Sequence, residues 1–251
     1  MTTWLFAGPS LWPARPRLPA DVVLQPPIAA NDVYRALDAG ASRLAIVDGH
    51  FGDRPSVRHK EILCALDEGV AVLGAASMGA LRAAELEAFG MIGIGAVHRA
   101  YATGRLNRDA DVAVVHAPAE MGWQPLTVAL VDVLAELDRH RAGGRLSEAA
   151  AQALLEAART IPFRRREPPR LAAALRAAAA RFGLALPATW CHARSRKRQD
   201  ALALVRYLRV PTPPLRRRSR ARTVFEKAAC GRLGAEPAQP DQPAESSPAP
   251  T

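Results

Sequence analysis

Short apolar runs broken by turn residues open the chain. Trp4-Leu5-Phe6-Ala7 stops at Gly8-Pro9-Ser10 and reads as a first strand with a turn at its carboxyl end. Val22-Val23-Leu24 reads as a short second strand before Pro26-Pro27, Leu44-Ala45-Ile46-Val47 as a buried strand ending on Asp48-Gly49, and residues 70–74 as another. Between them the apolar positions shift to helical spacing. Val33, Tyr34 and Leu37 follow the N-cap candidate Asn31 and end at Gly40; Ile62, Leu63 and Leu66 share a stripe with His59, in a helix that Ser56 caps and Gly69 closes. Strand then helix, repeated, predicts an α/β fold: a small open, mostly parallel sheet with right-handed crossovers and flanking helices.

Residues 89–95 are glycine-spaced and too flexible for a helix interior; they are no dinucleotide fingerprint, because they follow a helix rather than open one. A short helix is expected at 97–101 and a strand at 112–115, ending at His116. Beyond Pro125 the spacing is helical over 126–139, 147–159, 171–182 and 196–208, with Ser147-Glu148 as a capping signal. The chain thus divides into an α/β core (1–125), a helical subdomain (126–210) and a basic, Pro/Ala-rich tail (211–251). After Gly234 the tail is almost all Ala, Pro, Glu, Gln and Ser, too poor in apolar residues to fold, so disorder is expected there.

With 251 residues, 49% of them hydrophobic, the chain can bury a real core. No apolar run approaches the roughly 20 residues of a membrane helix, and the N-terminus lacks the basic start and apolar segment of a secretory signal, so a cytoplasmic location is expected. A formal charge of +10 raises the question of nucleic acid. The arginines concentrate late, at 164–166, 194–198 and 216–222, with few aromatics to stack bases, and read instead as solvated face or tail. Cys64, Cys191 and Cys230 are widely separated, which indicates neither a disulfide framework nor a zinc site, and Cys64 falls in an apolar stripe. No metal or cofactor is expected.

The stretch from Val70 to Glu85 carries the most chemistry: strand, small-residue turn, helix start. Ser77 falls at the carboxyl edge of the sheet, at a helix N-terminus whose free N–H groups suit an anion. Gly79 two positions on approaches the Gly-x-Ser-x-Gly spelling of a nucleophile elbow, with Ala75 in the first place. An ordinary serine N-cap is the plainer alternative. Ser10, Asp48 and His59 are expected at the same edge, the stripe of His59 pointing it toward the sheet. Ser77 as nucleophile, His59 as base and Asp48 as orienting carboxylate would suit acyl chemistry; a satisfied histidine and a simple Asp-Gly turn are the alternatives. Arg82 and Glu85, three apart, and Lys60 beside His59 are either an anion clamp or ordinary surface charges. His98 and His116 are read as structural.

Several blocks together resemble a known family: Phe6-Ala7-Gly8-Pro9-Ser10-Leu11, Val47-Asp48-Gly49-His50-Phe51, His59-Lys60-Glu61-Ile62-Leu63, the run from Gly74 to Glu85, Phe89-Gly90-Met91 with Gly93 and Gly95, and Asp111-Val112-Ala113. In order and over roughly residues 3–140 they look like TfuA-like proteins. The resemblance implies a role in peptide backbone thioamidation beside a YcaO-type ATP-dependent enzyme. Some such partners make ribosomally produced modified peptides and others modify a methanogenesis enzyme. It also implies hydrolysis of a thiocarboxylated ubiquitin-like sulfur carrier to release sulfide. Carried over by motif are Asp48, His59, Ser77, Arg82 and Glu85, with Gly79, Ser10 and Lys60 as further binding positions. The competing expectation is a noncatalytic adaptor that recruits or activates the YcaO enzyme.

Overall fold

In the computed structural model, residues 2–52, 54–186 and 194–210 are described; the expectation for the tail at 211–251 falls outside them. Five strands, β1 (Thr3–Phe6), β2 (Val22–Gln25), β3 (Arg43–Ile46), β4 (Ala71–Ala75) and β5 (Ile92–Ile94), form one sheet in the order β2-β1-β3-β4-β5, with every neighbouring pair parallel. Leu5 is registered with Leu24 on one side and Ala45 on the other, and Ala45 with Leu73. The central strands are buried on both faces, which is why β3 and β4 read as continuous apolar runs rather than as alternation.

One face packs Phe6, Leu44, Ile46 and Val72 against α1 (Asp32–Asp38), α2 (His59–Asp67), α3 (Met78–Leu86) and α4 (Ala96–Ala102). A second cluster joins α5 (Leu130–Ala142), α6 (Glu148–Arg159) and α7 (Pro168–Ala180) around Leu137, Leu154, Leu171 and Leu175. The last described helix, α8 (Arg196–Tyr207), leaves that cluster. Its Ala201, Leu204 and Val205, with Leu208 just beyond, cover the other face of the sheet at Leu5, Ala7, Ala45, Val47 and Leu73. Burying such a leucine contributes about 1.5–3 kcal/mol, so α8 is part of the sheet's core. Among the described residues no helix is long and apolar enough to cross a membrane.

Local readings change at five places. Residues 89–95 contain β5, whose Ile-Gly-Ile pairs with β4 through Leu73↔Ile92 and Ala75↔Ile94. Residues 112–115 form no strand; Val112 and Ala113 are buried chain, and the isolated bridge His116↔Pro125 lies beyond them. Their apolar spelling reflects burial, not pairing. Asn31 has a left-handed φ of +73° and makes no side-chain cap; its N–H donates instead to Glu61 Oε2 at 2.7 Å. Ser56 does not cap α2 either, since its hydroxyl donates to the His50 carbonyl at 2.8 Å. Cys64 is a buried core residue as expected, but it is disulfide-bonded, which the spacing of the cysteines had not indicated.

Candidate functional site

The chain leaves β1 for one edge of the sheet and returns to β3 before running to the other, so the order reverses between β1 and β3. In open parallel sheets the crevice outside the strand ends at such a switch point is where ligands bind. Here β1 runs into the 3₁₀ turn Pro9–Leu11 and β3 runs into Asp48. The two ends are tied together. Asp48 Oδ2 accepts the backbone N–H groups of Gly8 and Ser10, both at 2.9 Å, and Oδ1 accepts the Ser10 hydroxyl at 2.6 Å. Asp48 is 2% exposed, and its carboxyl fills the cradle of N–H and hydroxyl donors that this turn forms.

Beside it, β4 turns into α3 with little room. A Cβ on Gly79 would lie 1.8 Å from the Ile46 carbonyl oxygen, and one on Gly74 would lie 2.0 Å from the carbonyl oxygen of Gly79. Both glycines are there for backbone approach, and the Gly79 N–H donates to the Val47 carbonyl at 3.2 Å. Ala76 has a left-handed φ of +66°, and the N–H of Ser77 closes a three-residue turn onto the Ala75 carbonyl at 2.7 Å. Such a conformation costs an alanine about 1–3 kcal/mol and is characteristic of functional turns. Ser77 stands at the N-cap position of α3, yet its side chain makes no capping bond; the hydroxyl points across to the Val112 carbonyl at 3.4 Å. The N–H groups of Ser77 and Gly79, which the sequence offered to an anion, are already bonded to the protein.

A residue from far along the chain completes the group. Lys197, in the first turn of α8, donates from Nζ to the same Val112 carbonyl at 2.7 Å and is 3% exposed. Asp132 Oδ1 fixes that turn by accepting the N–H groups of Arg196 at 2.7 Å and Lys197 at 3.2 Å, while Ser195 caps it through Arg198 N–H at 3.1 Å. Burial pushes the Lys197 ammonium below the usual lysine range, against the opposing pull of Asp48 and Asp132; burial likewise pushes the Asp132 carboxyl up.

Asp48, Ser77, Lys197, Asp109 and His116 line one cavity of about 40 Å³, enough for a water molecule. A groove of about 410 Å³ shares Pro9, Val114 and Lys197 with it and extends past Ser10, Trp12 and Asp132 to Arg194 and Arg198. That size fits a small ligand or an extended chain end. His116 donates from Nδ1 to the Ala117 carbonyl at 2.9 Å if that nitrogen carries the proton, and its ring meets the edge of Trp123. Among the described residues no cluster of His, Cys, Asp or Glu is arranged to hold a metal ion.

His59 is elsewhere. Its Nε2 lies 2.7 Å from Glu85 Oε2, which also accepts from Arg82 Nη1 at 2.7 Å, and Arg82 Nε donates to the Val57 carbonyl at 3.3 Å. The cluster bridges the start of α2 and the second half of α3, and the His59 side chain is 46% exposed and does not line the cavity. The reason is positional. A helical side chain leans over the turn before its own Cα, so a residue at the first position of α2 reaches past the helix end rather than onto the sheet. Of the expected residues, then, Ser10, Asp48 and Ser77 come together; His59, the buried Arg82 and Glu85 form a separate, partly exposed group; Lys60 is exposed; and Gly79 serves packing.

Lys197 and His116 were not among the site residues read from sequence. Lys197 sits inside an arginine run, but its stripe with Ala201, Leu204, Val205 and Leu208 at helical spacing marked it as facing inward.

A family model described as TfuA-like protein matches residues 48–167, the stretch that holds Asp48, His59, Lys60, Ser77, Gly79, Arg82 and Glu85 but not Ser10 or Lys197. No curated protein matches the chain.

Proposed function

We propose that the chain, whose residues 48–167 match the TfuA-like family model, acts as that family does, beside a YcaO enzyme in thioamidation, and that it supplies sulfide by hydrolysing a thiocarboxylated ubiquitin-like carrier protein. One observation supports this most: Ser77 is presented by a strained turn into a cavity with Asp48 and Lys197, its hydroxyl unused as a cap. In this reading the carrier's extended acyl end lies in the groove, drawn by Arg194 and Arg198, and its carbonyl carbon reaches Ser77. Ser77 Oγ attacks that carbon, sulfur leaves, and water releases the carrier as an ordinary carboxylate. Asp48 holds the Gly8-Pro9-Ser10 wall of the site in place.

The placement of His59 away from Ser77 is the observation that favours an adaptor without catalysis. One experiment separates the two: sulfide release from a thiocarboxylated carrier by the full chain and by Ser77→Ala. The hydrolase reading expects release to fall at least about 100-fold in the variant, with YcaO binding unchanged. An intact chain that releases nothing, yet stimulates a YcaO enzyme given free sulfide, would establish the adaptor. Equal release by both chains would remove Ser77 as nucleophile.

A further inference from the structure

We propose that His116 is the base that activates the hydrolytic water, freeing the acyl group from Ser77 in the second half of the reaction; the inference rests on the hydrolase reading for its substrate. Ser77 and His116 line the same cavity, which has room for one water molecule, so a water held there lies within reach of both side chains. Asp48, Lys197 and Asp109 line it too, but each is otherwise committed. Asp48 accepts the N–H groups of Gly8 and Ser10 on Oδ2 and the Ser10 hydroxyl on Oδ1. Lys197 donates to the Val112 carbonyl at 2.7 Å, and Asp109 is exposed to solvent. His116 offers the remaining lone pair. With its proton on Nδ1, donated to the Ala117 carbonyl at 2.9 Å, Nε2 is the nitrogen left to accept from the water.

The surrounding chain is built to hold this ring. His116 faces Pro125 in an antiparallel bridge, flanked by Ala117 N–H to the Gln124 carbonyl and Leu126 N–H to the Val115 carbonyl, both at 2.8 Å. The imidazole meets the rings of Trp123 and His50 edge-on, with centroids 5.2 and 6.4 Å away. Trp123 has a left-handed φ of +62°, directly after Gly122 at +67°. So bulky a residue is a genuine outlier there, and such strain gathers at active sites, where the surroundings over-determine it. Trp123 in turn lies against the turn that Asp48 ties down: a Cβ on Gly8 would be 3.1 Å from its Cγ. One wall of the site thus fixes both the tautomer and the plane of the imidazole.

The steps balance with water as the only co-reactant. Once hydrosulfide has left, the carrier is joined to Ser77 Oγ as an ester. As the water oxygen bonds to the ester carbon, one of its protons passes to His116 Nε2. The carbon–Oγ bond then breaks and Ser77 Oγ takes that proton from the imidazolium. The carrier departs as a carboxylic acid, which gives its remaining proton to solvent.

The test is rapid-mixing sulfide release from the thiocarboxylated carrier, with mass spectrometry of the protein, on the full chain and on His116→Asn. Asparagine keeps a donor for the Ala117 carbonyl and removes Nε2. The variant is expected to release about one sulfide per chain at the intact rate, to accumulate a chain–carrier ester on Ser77, and then to turn over at least about 100-fold more slowly. Hydroxylamine, a nucleophile that needs no base, should restore its turnover. Turnover within about threefold of the intact chain, slow turnover with no initial sulfide and no ester, or an ester on another residue would each overturn the proposal while the hydrolase reading stands. An intact chain that releases no sulfide would remove both. If His116→Asn fails to fold, nitrogen NMR of the intact chain decides: the proposal requires the His116 proton on Nδ1, and a proton on Nε2, leaving no lone pair for the water, would overturn it.

Discussion

The Asp48 side chain uses both oxygens on Gly8 and Ser10, so its role is to hold a turn, where the sequence suggested that it would orient His59. Buried hydrogen bonds to a charged acceptor are worth about 1.5–3 kcal/mol, and donors left unmet cost a similar amount. Ser10→Ala should therefore lower the unfolding free energy by about 1.5 kcal/mol and Asp48→Ala by about 3 kcal/mol or more, as read by urea denaturation. A smaller loss for Asp48→Ala than for Ser10→Ala would contradict this division of labour. Ser10, Asp48 and Ser77 were legible in the sequence because each ends an apolar run at a turn. His59 misled because the stripe argument fixes a helix face but not how far a first-turn side chain overhangs its end. Lys197 was hidden by its neighbours: a buried amine among three surrounding arginines and a serine reads as a solvated run unless its spacing to Ala201 and Leu204 is counted.

At the scale of elements, β4 and α3 are held together by two glycines. Gly79→Ala would drive a methyl group into the backbone of β3, where no side chain can move aside, and is expected to destabilise by at least about 3 kcal/mol. Gly104→Ala is the control: φ is +71° but space is open, and the cost should stay near 1 kcal/mol. Equal midpoints for the two variants in a denaturant titration would show that the close approach is not tight. The small residues from 74 to 80 made this approach readable from sequence, and the strand–helix alternation made the parallel sheet readable. β5 was not, because three residues with a central glycine carry little strand signal; 112–115 misled in the opposite direction, because burial of a loop by Thr127 and α8 produces the same apolar spelling as a strand.

For the whole molecule, buried titratable groups set an unusual pH profile. Burial raises the carboxyls of Glu61, Asp111, Asp132 and Asp200 and lowers the ammonium of Lys197. A raised carboxyl contributes stability that is complete below its unfolded value, about 4, and lost as pH rises through its folded value; a lowered ammonium contributes stability present above about 10.4 and lost as pH falls through its folded value. These groups together should place a shallow minimum of stability around neutrality, seen as a thermal midpoint that falls from about pH 4 and rises again toward about pH 10. Asp132→Asn should flatten the acid limb and Lys197→Met the alkaline one; a midpoint climbing steadily from acid to neutral would refute the scheme. The return of α8 to the sheet has a consequence for synthesis. All five strands are complete by Ile94, whereas α8 begins at Arg196. While a ribosome adds α5, α6 and α7, the face bearing Leu5, Ala45, Val47 and Leu73 lacks the cover of α8, an apolar surface prone to aggregation. Lys197 arrives only when that face is covered, so the nascent chain gains its sheet early and closes the cavity beside Asp48 and Ser77 in the last docking event.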